Sequence, residues 1–588
     1  MSDPIPESQA PAAAGRLGLA FSGGGLRASF FHIGVLAQMA QRGLLRRVEV
    51  ISTVSGGSIL GALYYLHVKK LLEREPDAEI TDRDYVEIVA ALAGDFLAAT
   101  QRNIRMLAFA DFAANWKRHR GDYSTSDRLA ELYDQLLYQS VLDKAQVGDP
   151  VEMRKLKIFP PGQPDFHPNR HNGDRKAKVP ILVVNATTLN SGNNWRFTAQ
   201  DMGEPPSNNN DIDKKPIRLK RPRSYDDIVV HQQDFPLGHA VAASACVPGL
   251  FPPLSITGLY QDGEEAIQVQ LVDGGVHDNQ GVTGLIDNGC VEFVVSDACG
   301  QMGEQPRPGT DLVAVLSRVS SILQDRVRTA VLENLFTLTR NGPGSVAFMS
   351  LRQGLGYREL YWNGPDGQPY KQPEVQLPTT ERFGVDPAVQ ELLSAVRTDL
   401  DAFSEVEAYS LMLDGYLIGE QGLGNVPLLA AGEEAWEFLE IKPWLRLPTP
   451  DYLKQLRVAG QTFGKALYLI PWLSVLALAV VVALLVVLAP QIQAFLQSCI
   501  PVLLIAALLL GWLVDQLLPK LAKLFRVFQY LIAPWAALKR WVLNAGLALV
   551  GTLFIKLYLA FINPLFLKRG SFEALKRRGV PGAPTPPA

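Results

Sequence analysis

Residues 17–66 read LGLAFSGGGLRASFFHIGVLAQMAQRGLLRRVEVISTVSGGSILGALYYL. Leu17 to Phe21 is a short apolar run that stops at Ser22 and three glycines, the pattern of a buried strand. From Arg27 to Gln41, Phe30, Phe31, Val35 and Met39 recur at helical spacing, and the pattern ends at Gly43. Val48 to Val54 is β-rich, Ser55-Gly56-Gly57-Ser58 makes a turn, and Ile59 to Leu72 is helical again. This β-α-β-α order predicts an α/β fold, a parallel-sheet sandwich with helices on both faces.

The alternation continues after a charged, Pro- and Asn-rich interruption at about 147–235, whose lysine-bearing runs read as solvated loops. Inside it Val179 to Ala186 and Trp195 to Ala199 look like strands. Then come a short helix in LGHAVAASACVPGLFPPL (Leu237–Leu254) broken at Pro248, a strand Ile267 to Val272, and the turn Asp273-Gly274-Gly275. A helical piece near Gly281 to Ile286, a strand Val291 to Ser296 and a long amphipathic helix Asp311 to Arg340 follow; Gly342 to Gln376 is rich in turns.

Charge divides the chain in two. Its 588 residues carry a formal net charge of −3, which leaves no basic excess for nucleic acid. From Ala466 to Val514, 49 residues hold no Asp, Glu, Lys or Arg. From Gln461 onward 12 Lys and Arg face two acids, so the front portion is acidic and the tail basic and apolar. Two runs, 466–489 and 495–514, are each long enough for a membrane helix, and the basic flanks of such a hairpin fall on one face. A third apolar run, 541–561, contains Asn544 and Lys556 and reads as an interfacial or re-entrant helix. The expected layout is a flexible tail over 1–14, a catalytic domain over 15–460 with a helical extension from about 305, a C-terminal α-helical membrane segment over 461–567, and a basic, Pro-rich end over 568–588. No secretory signal precedes the domain, and the four cysteines form no metal-binding spacing. The front portion is therefore expected on the cytoplasmic face of a membrane.

Two glycine-rich turns stand between a strand and a helix. Gly23-Gly24-Gly25-Leu26-Arg27 matches neither a P-loop nor a dinucleotide fingerprint, which leaves a backbone cradle for an oxyanion. Thr53-Val54-Ser55-Gly56-Gly57 sets a serine at the tip of a sharp turn, as in a nucleophile elbow, with Gly57 relieving crowding; Thr53 stands where the usual GxSxG has glycine. Ser55 reads as a nucleophile or as a helix N-cap. Ser52 lies in the strand and Ser58 inside the helix, so Ser55 is the better placed. No histidine completes a triad signature. Asp273 is a carboxylate on a tight turn, either a base or an Asx-turn residue.

GGGLR, SxxSGGS, ASACVPGLFPPL and DGGVHDNQG, in this order over Arg16 to Gly300, resemble the patatin-like phospholipases. The resemblance implies a Ser-Asp dyad at Ser55 and Asp273, an oxyanion loop at Gly23, Gly24 and Gly25, and Arg27 as its supporting basic residue. It gives His32 a packing role and Asn279 a part in fixing a loop. The implied activity is hydrolysis of lipid acyl esters, phospholipase A or lysophospholipase-like, through an acyl-serine intermediate. It needs no metal or cofactor, and membrane lipids are its partners. A catalytically inactive lipid-binding scaffold is the alternative that Thr53 opens. A transporter ranks last, because the apolar runs hold almost no charge.

Overall fold

The computed structural model describes residues 15–118, 123–141, 149–205, 222–300, 302–356, 361–370, 383–428 and 436–476, single positions between 478 and 490, and 549 and 551–581. They fall into two compact units. One comprises Met1–Ala108, Gly121–Thr462 and Gly570–Ala588, the other Phe109–Arg120 and Phe463–Arg569.

The first unit is organised by strands β1 (Leu17–Phe21), β2 (Val48–Val54), β3 (Ile181–Thr188), β4 (Asn194–Phe197), β5 (Asp201–Gly203), β6 (Arg223–Ser224), β7 (Leu254–Asp262), β8 (Glu265–Asp273), β9 (Glu292–Asp297) and β10 (Ser345–Ser350). They form one sheet in the order β10-β9-β1-β2-β3-β4-β5-β6, with β8 also paired to β3 and β7 to β8. Pairing is parallel from β10 to β3. Beyond β3 it is antiparallel, a part of the sheet that the expected parallel-sheet sandwich did not specify. The cause is connection length. Only Leu189–Asn193 joins β3 to β4, and Gly263-Glu264 joins β7 to β8, too few residues for the crossover that parallel strands need.

Side chains alternate across the sheet. Leu19, Phe21, Ile51, Leu182 and Val184 enter the large core, while Ala20, Val50, Val183 and Val295 face a smaller one. Helices α1 (Gly25–Gln41) and α2 (Gly56–Arg74) supply the large core, as does α3 (Leu237–Ser244). The four-residue α4 (Gly275–Asp278) follows the Asp273 turn, and the smaller core is closed by α5 (Val282–Asp287) and the far end of α6 (Leu312–Asn341). The expected helical extension is part of this unit. Helix α7 (Glu405–Gly422) lies so close on α1 that a Cβ on Gly34 would stand 1.9 Å from the Met412 carbonyl, and one on Gly415 2.1 Å from that of Phe31. The basic end also contributes: Phe572–Arg577 is a short helix with Phe572 and Leu575 buried in the first unit.

In the second unit the first apolar run does not begin as one helix. Lys465–Leu469 ends at Ile470, which is extended (φ −123°, ψ 91°), and helix resumes at Pro471. Proline disfavours the helical conformation in the residue before it. The rest of that run lies mostly outside the described residues, and 495–514 lies wholly outside them. One helix among the described residues, Gly551–Arg569, is long and apolar enough to cross a membrane. It overlaps the third run and continues past it through Pro564. A π-turn at Tyr558–Ile562 absorbs the proline, which offers no N–H.

Candidate active site

The site is assembled by the register of β3. Val54 pairs with Asn185 in the parallel ladder of β2. The next residue of β3, Ala186, pairs with Asp273 in the antiparallel ladder of β8. Two strands thus run toward each other along the same edge of β3 and stop at adjacent positions. Ser55 follows the end of one, and Asp273 is the end of the other.

Ser55 has φ 51° and ψ −120°, one of two non-glycine residues with positive φ among those described. That backbone costs of order 1–3 kcal/mol and must be held in place. The holding groups are visible. The Ser55 N–H donates to Ser244 Oγ at 2.9 Å. Ser58 Oγ donates to Thr53 Oγ1 at 3.0 Å, and Thr53 Oγ1 donates to the Val183 carbonyl at 3.2 Å. With the Ser58 proton committed, Ser244 is the donor in its 2.8 Å contact with Ser58. One hydroxyl chain therefore runs from the elbow into the sheet, each proton used once. Thr53 is a working member of it, and its methyl group lies over Gly61, where a Cβ would come within 2.5 Å. Gly57 permits the turn itself: a Cβ there would stand 2.5 Å from the Phe21 carbonyl, and one on Gly56 2.0 Å from that of Gly25.

Asp273 is pinned on every side. Its N–H donates to the Cys246 carbonyl at 2.9 Å, and the Gly274 N–H to that of Ser244 at 3.1 Å. Thr187 Oγ1 donates to the Asp273 carbonyl at 3.0 Å. The carboxylate accepts the Gly275 N–H at 2.7 Å, and the Ser55 side chain is near enough to favour its ionised form. Burial pushes its pKa up to about 6, against the opposing pull of the Ser55 side chain and the Gly275 N–H.

The glycine loop is equally constrained. Gly24 and Gly25 have φ 133° and 57°, backbone that favours glycine. The Gly23 N–H is already committed to the Asn279 carbonyl at 2.9 Å, whereas no hydrogen bond engages the N–H of Gly24 or Gly25 among the described residues. Asn279 Oδ1 occupies the space a Cβ on Gly23 would need, so Asn279 clamps the loop with backbone and side chain together. Arg27 is buried. Its guanidinium donates to the carbonyls of Ala298 (2.9 Å), Val396 (2.9 Å) and Ser394 (3.1 Å), tying the helix after the loop to two other segments. Burial lowers its pKa to about 10, which leaves it charged at neutral pH.

His32 is a packing residue. Its Nε2 faces the Ser22 carbonyl at 3.0 Å and its Nδ1 the Ser296 hydroxyl at 2.6 Å, with the ring stacked on Phe21; burial drives its pKa down to about 4. No hydrogen bond joins His277 to Ser55 or Asp273 among the described residues, and burial lowers its pKa too. Sequence reasoning missed Ser244 and Asn185. Ser244 lies inside the ASAC motif, a signal that was available. Asn185, which donates to Ser52 Oγ and the Thr53 carbonyl at 3.0 Å each, had none.

Residues 19–286 match the model of a family described as patatin-like phospholipase. The chain carries a patatin-like phospholipase domain. No curated protein matches the sequence. Among solved structures, human GIVD cytosolic phospholipase A2, in complex with methyl gamma-linolenyl fluorophosphonate, is 13% identical with a TM-score of 0.34; the match covers 73% of this chain and 60% of that one. VipD from Legionella pneumophila is 14% identical with a TM-score of 0.25, over 71% of this chain and 68% of that one.

Proposed function

We propose that the protein is a membrane-anchored serine hydrolase of lipid acyl esters, phospholipase A or lysophospholipase-like, in which Ser55 is the nucleophile and Asp273 the base. The observation that carries this reading is the meeting of two strand ends on β3, which sets Ser55 beside a buried carboxylate whose pKa is about 6. Such a carboxylate is ionised at neutral pH yet basic enough to take a proton. Ser55 Oγ attacks the ester carbonyl carbon as its proton passes to Asp273. The carbonyl oxygen becomes an oxyanion, and we assign its donors to the N–H groups of Gly24 and Gly25, with Gly23 holding the loop through Asn279. Collapse breaks the ester C–O bond, and the leaving alkoxide takes the proton from Asp273. Water then attacks the acyl-serine, Asp273 accepts its proton, and the fatty acid leaves with Ser55 restored. Arg27 supports the loop from behind. Thr53, which opened the alternative of an inactive scaffold, is accommodated by Gly61 and used by the hydroxyl chain.

Anchoring is read from the apolar stretches of the tail, with Gly551–Arg569 as the helix of spanning length, and the basic flanks support the cytoplasmic face for the domain. The test is reaction of the full chain with a fluorophosphonate probe, followed by incubation with mixed membrane lipids and identification of the products. Labelling confined to Ser55, and free fatty acid that disappears in Ser55→Ala, is the expected result. Undiminished labelling or lipid turnover in Ser55→Ala would overturn the assignment.

A further inference from the structure

Helix α6 is amphipathic in the wrong sense over its first half. Leu312, Val315, Leu316, Val319, Ile322 and Leu323 recur at spacings of three and four residues and so form one stripe. The stripe is exposed: Leu312 by 74%, Leu316 by 60% and Leu323 by 61%. No residue from Leu312 to Val331 is buried, and nothing among the described residues covers these side chains. The opposite, polar face is the one turned to the protein. Ser321, Gln324, Asp325 and Arg328 line a cleft of about 240 Å³ together with Asn279, and Arg328 is bonded to Asp297 at 2.6 Å. Past Arg328 the helix reverts to ordinary order, with Leu332 and Leu335 buried and Glu333, Asn334 and Thr337 outward.

We propose that this half of α6 is a docking surface for a lipid bilayer, seated in the interface with its leucine stripe among the acyl chains. The proposal rests on the hydrolase reading for its choice of occupant. The polar side of the same helix borders the cleft at Asn279, the residue that clamps the Gly23 loop, so a bilayer on the stripe would bring lipid esters to the edge of the site. An exposed apolar group continues there: Val276, on α4, which packs against α6. Charge agrees, since the exposed Arg326 continues the line of the stripe at its C-terminal end and suits anionic headgroups.

The readout must be local, because the C-terminal apolar segment could hold the full chain on lipid unaided. Single cysteines at Leu316→Cys, Leu323→Cys and, on the polar face, Ser317→Cys are introduced into full-length protein carrying Cys499→Ala and Ser55→Ala. Each is labelled with an environment-sensitive fluorophore and placed on phosphatidylcholine vesicles containing a minority of phosphatidylglycerol. Nitroxide-bearing lipid is expected to quench the labels at 316 and 323 strongly and the label at 317 weakly. Quenching equal at the three positions, or absent at 316 and 323, overturns the proposal, as does a disulfide between two copies at Leu316→Cys without lipid. In active protein, Leu316→Gln with Leu323→Gln should lower turnover of vesicle phospholipid about tenfold or more, while hydrolysis of a water-soluble short-chain ester, which needs no docking, holds. Equal loss on both esters overturns it as well. If wild-type protein hydrolyses neither ester, the hydrolase reading has failed, and the quenching pattern still decides the docking.

Discussion

A carboxylate can serve a serine as base only if its environment makes it less acidic than in water, and burial does this at Asp273. With Asp273 as the proposed base, activity depends on its ionised form, so the acidic limb of the rate–pH profile should have its midpoint near pH 6. Asp273→Asn should lose activity by orders of magnitude, since an amide takes no proton. His277→Ala should cost little and leave the limb where it was. An equally inactive, folded His277→Ala would replace the dyad by a triad. The same shift bears on stability. The folded state binds the Asp273 proton more tightly than the unfolded chain does, so stability is lost as pH rises from about 4 to about 6 and the loss stays constant above. Two pKa units correspond to about 3 kcal/mol. Asn keeps an oxygen for the Gly275 N–H and carries no charge. Asp273→Asn should therefore be up to about 3 kcal/mol more stable than wild type at about pH 8 and show no advantage below about pH 4, as measured by thermal unfolding.

Between elements, the elbow depends on how β2 meets α2. The Thr53 methyl and Gly61 share one space, so Gly61→Ala should cost about 1–3 kcal/mol despite the better helix propensity of alanine. Thr53→Ser removes that methyl and keeps the hydroxyl chain. The double variant should regain most of the loss, a coupling of about 2 kcal/mol in a double-mutant cycle. Additive changes would mean that the two side chains do not meet. This pairing shows where sequence reading ended. The strand–glycine–helix units at 17–41 and 48–72 were legible because apolar periodicity and glycine punctuation are local. Thr53 read as a departure from GxSxG because its partner lies on the next element. The meeting of Ser55 with Asp273 was equally hidden, since it depends on the register of β3, a relation among three strands with no local signature. Strand β7 was missed because most of its side chains are exposed and carry little alternation, although Asp262-Gly263 marked its turn.

At the scale of the molecule, the path of the chain constrains its topology. It leaves the first unit after Thr462 and returns at Gly570. The return is firm: the Val406 N–H donates to the Gly570 carbonyl at 3.1 Å, Glu405 accepts the Phe572 N–H at 2.8 Å, and Lys576 pairs with Glu440 at 2.7 Å. A unit built from both ends of the excursion lies on one side of any bilayer, so residues 463–569 must cross it an even number of times or not at all. On the membrane-anchored reading, three full crossings would put the two ends of that unit on opposite sides. On the proposed membrane-anchored reading, a hairpin over 466–489 and 495–514 would leave Gly551–Arg569 in the interface, despite a length sufficient to span. Single cysteines at Glu440 and Gly579 should therefore react with a membrane-impermeant reagent from the same side of sealed vesicles. Opposite accessibility would refute the even count. Truncation after Arg569 should also destabilise the catalytic unit by about 3–5 kcal/mol, since it uncovers the pocket filled by Phe572 and Leu575. A soluble enzyme should accordingly come from replacing 463–569 with a flexible linker between Thr462 and Gly570. Ending the chain near Gly460 should yield a domain of lower melting temperature, which thermal unfolding of the two proteins side by side would show.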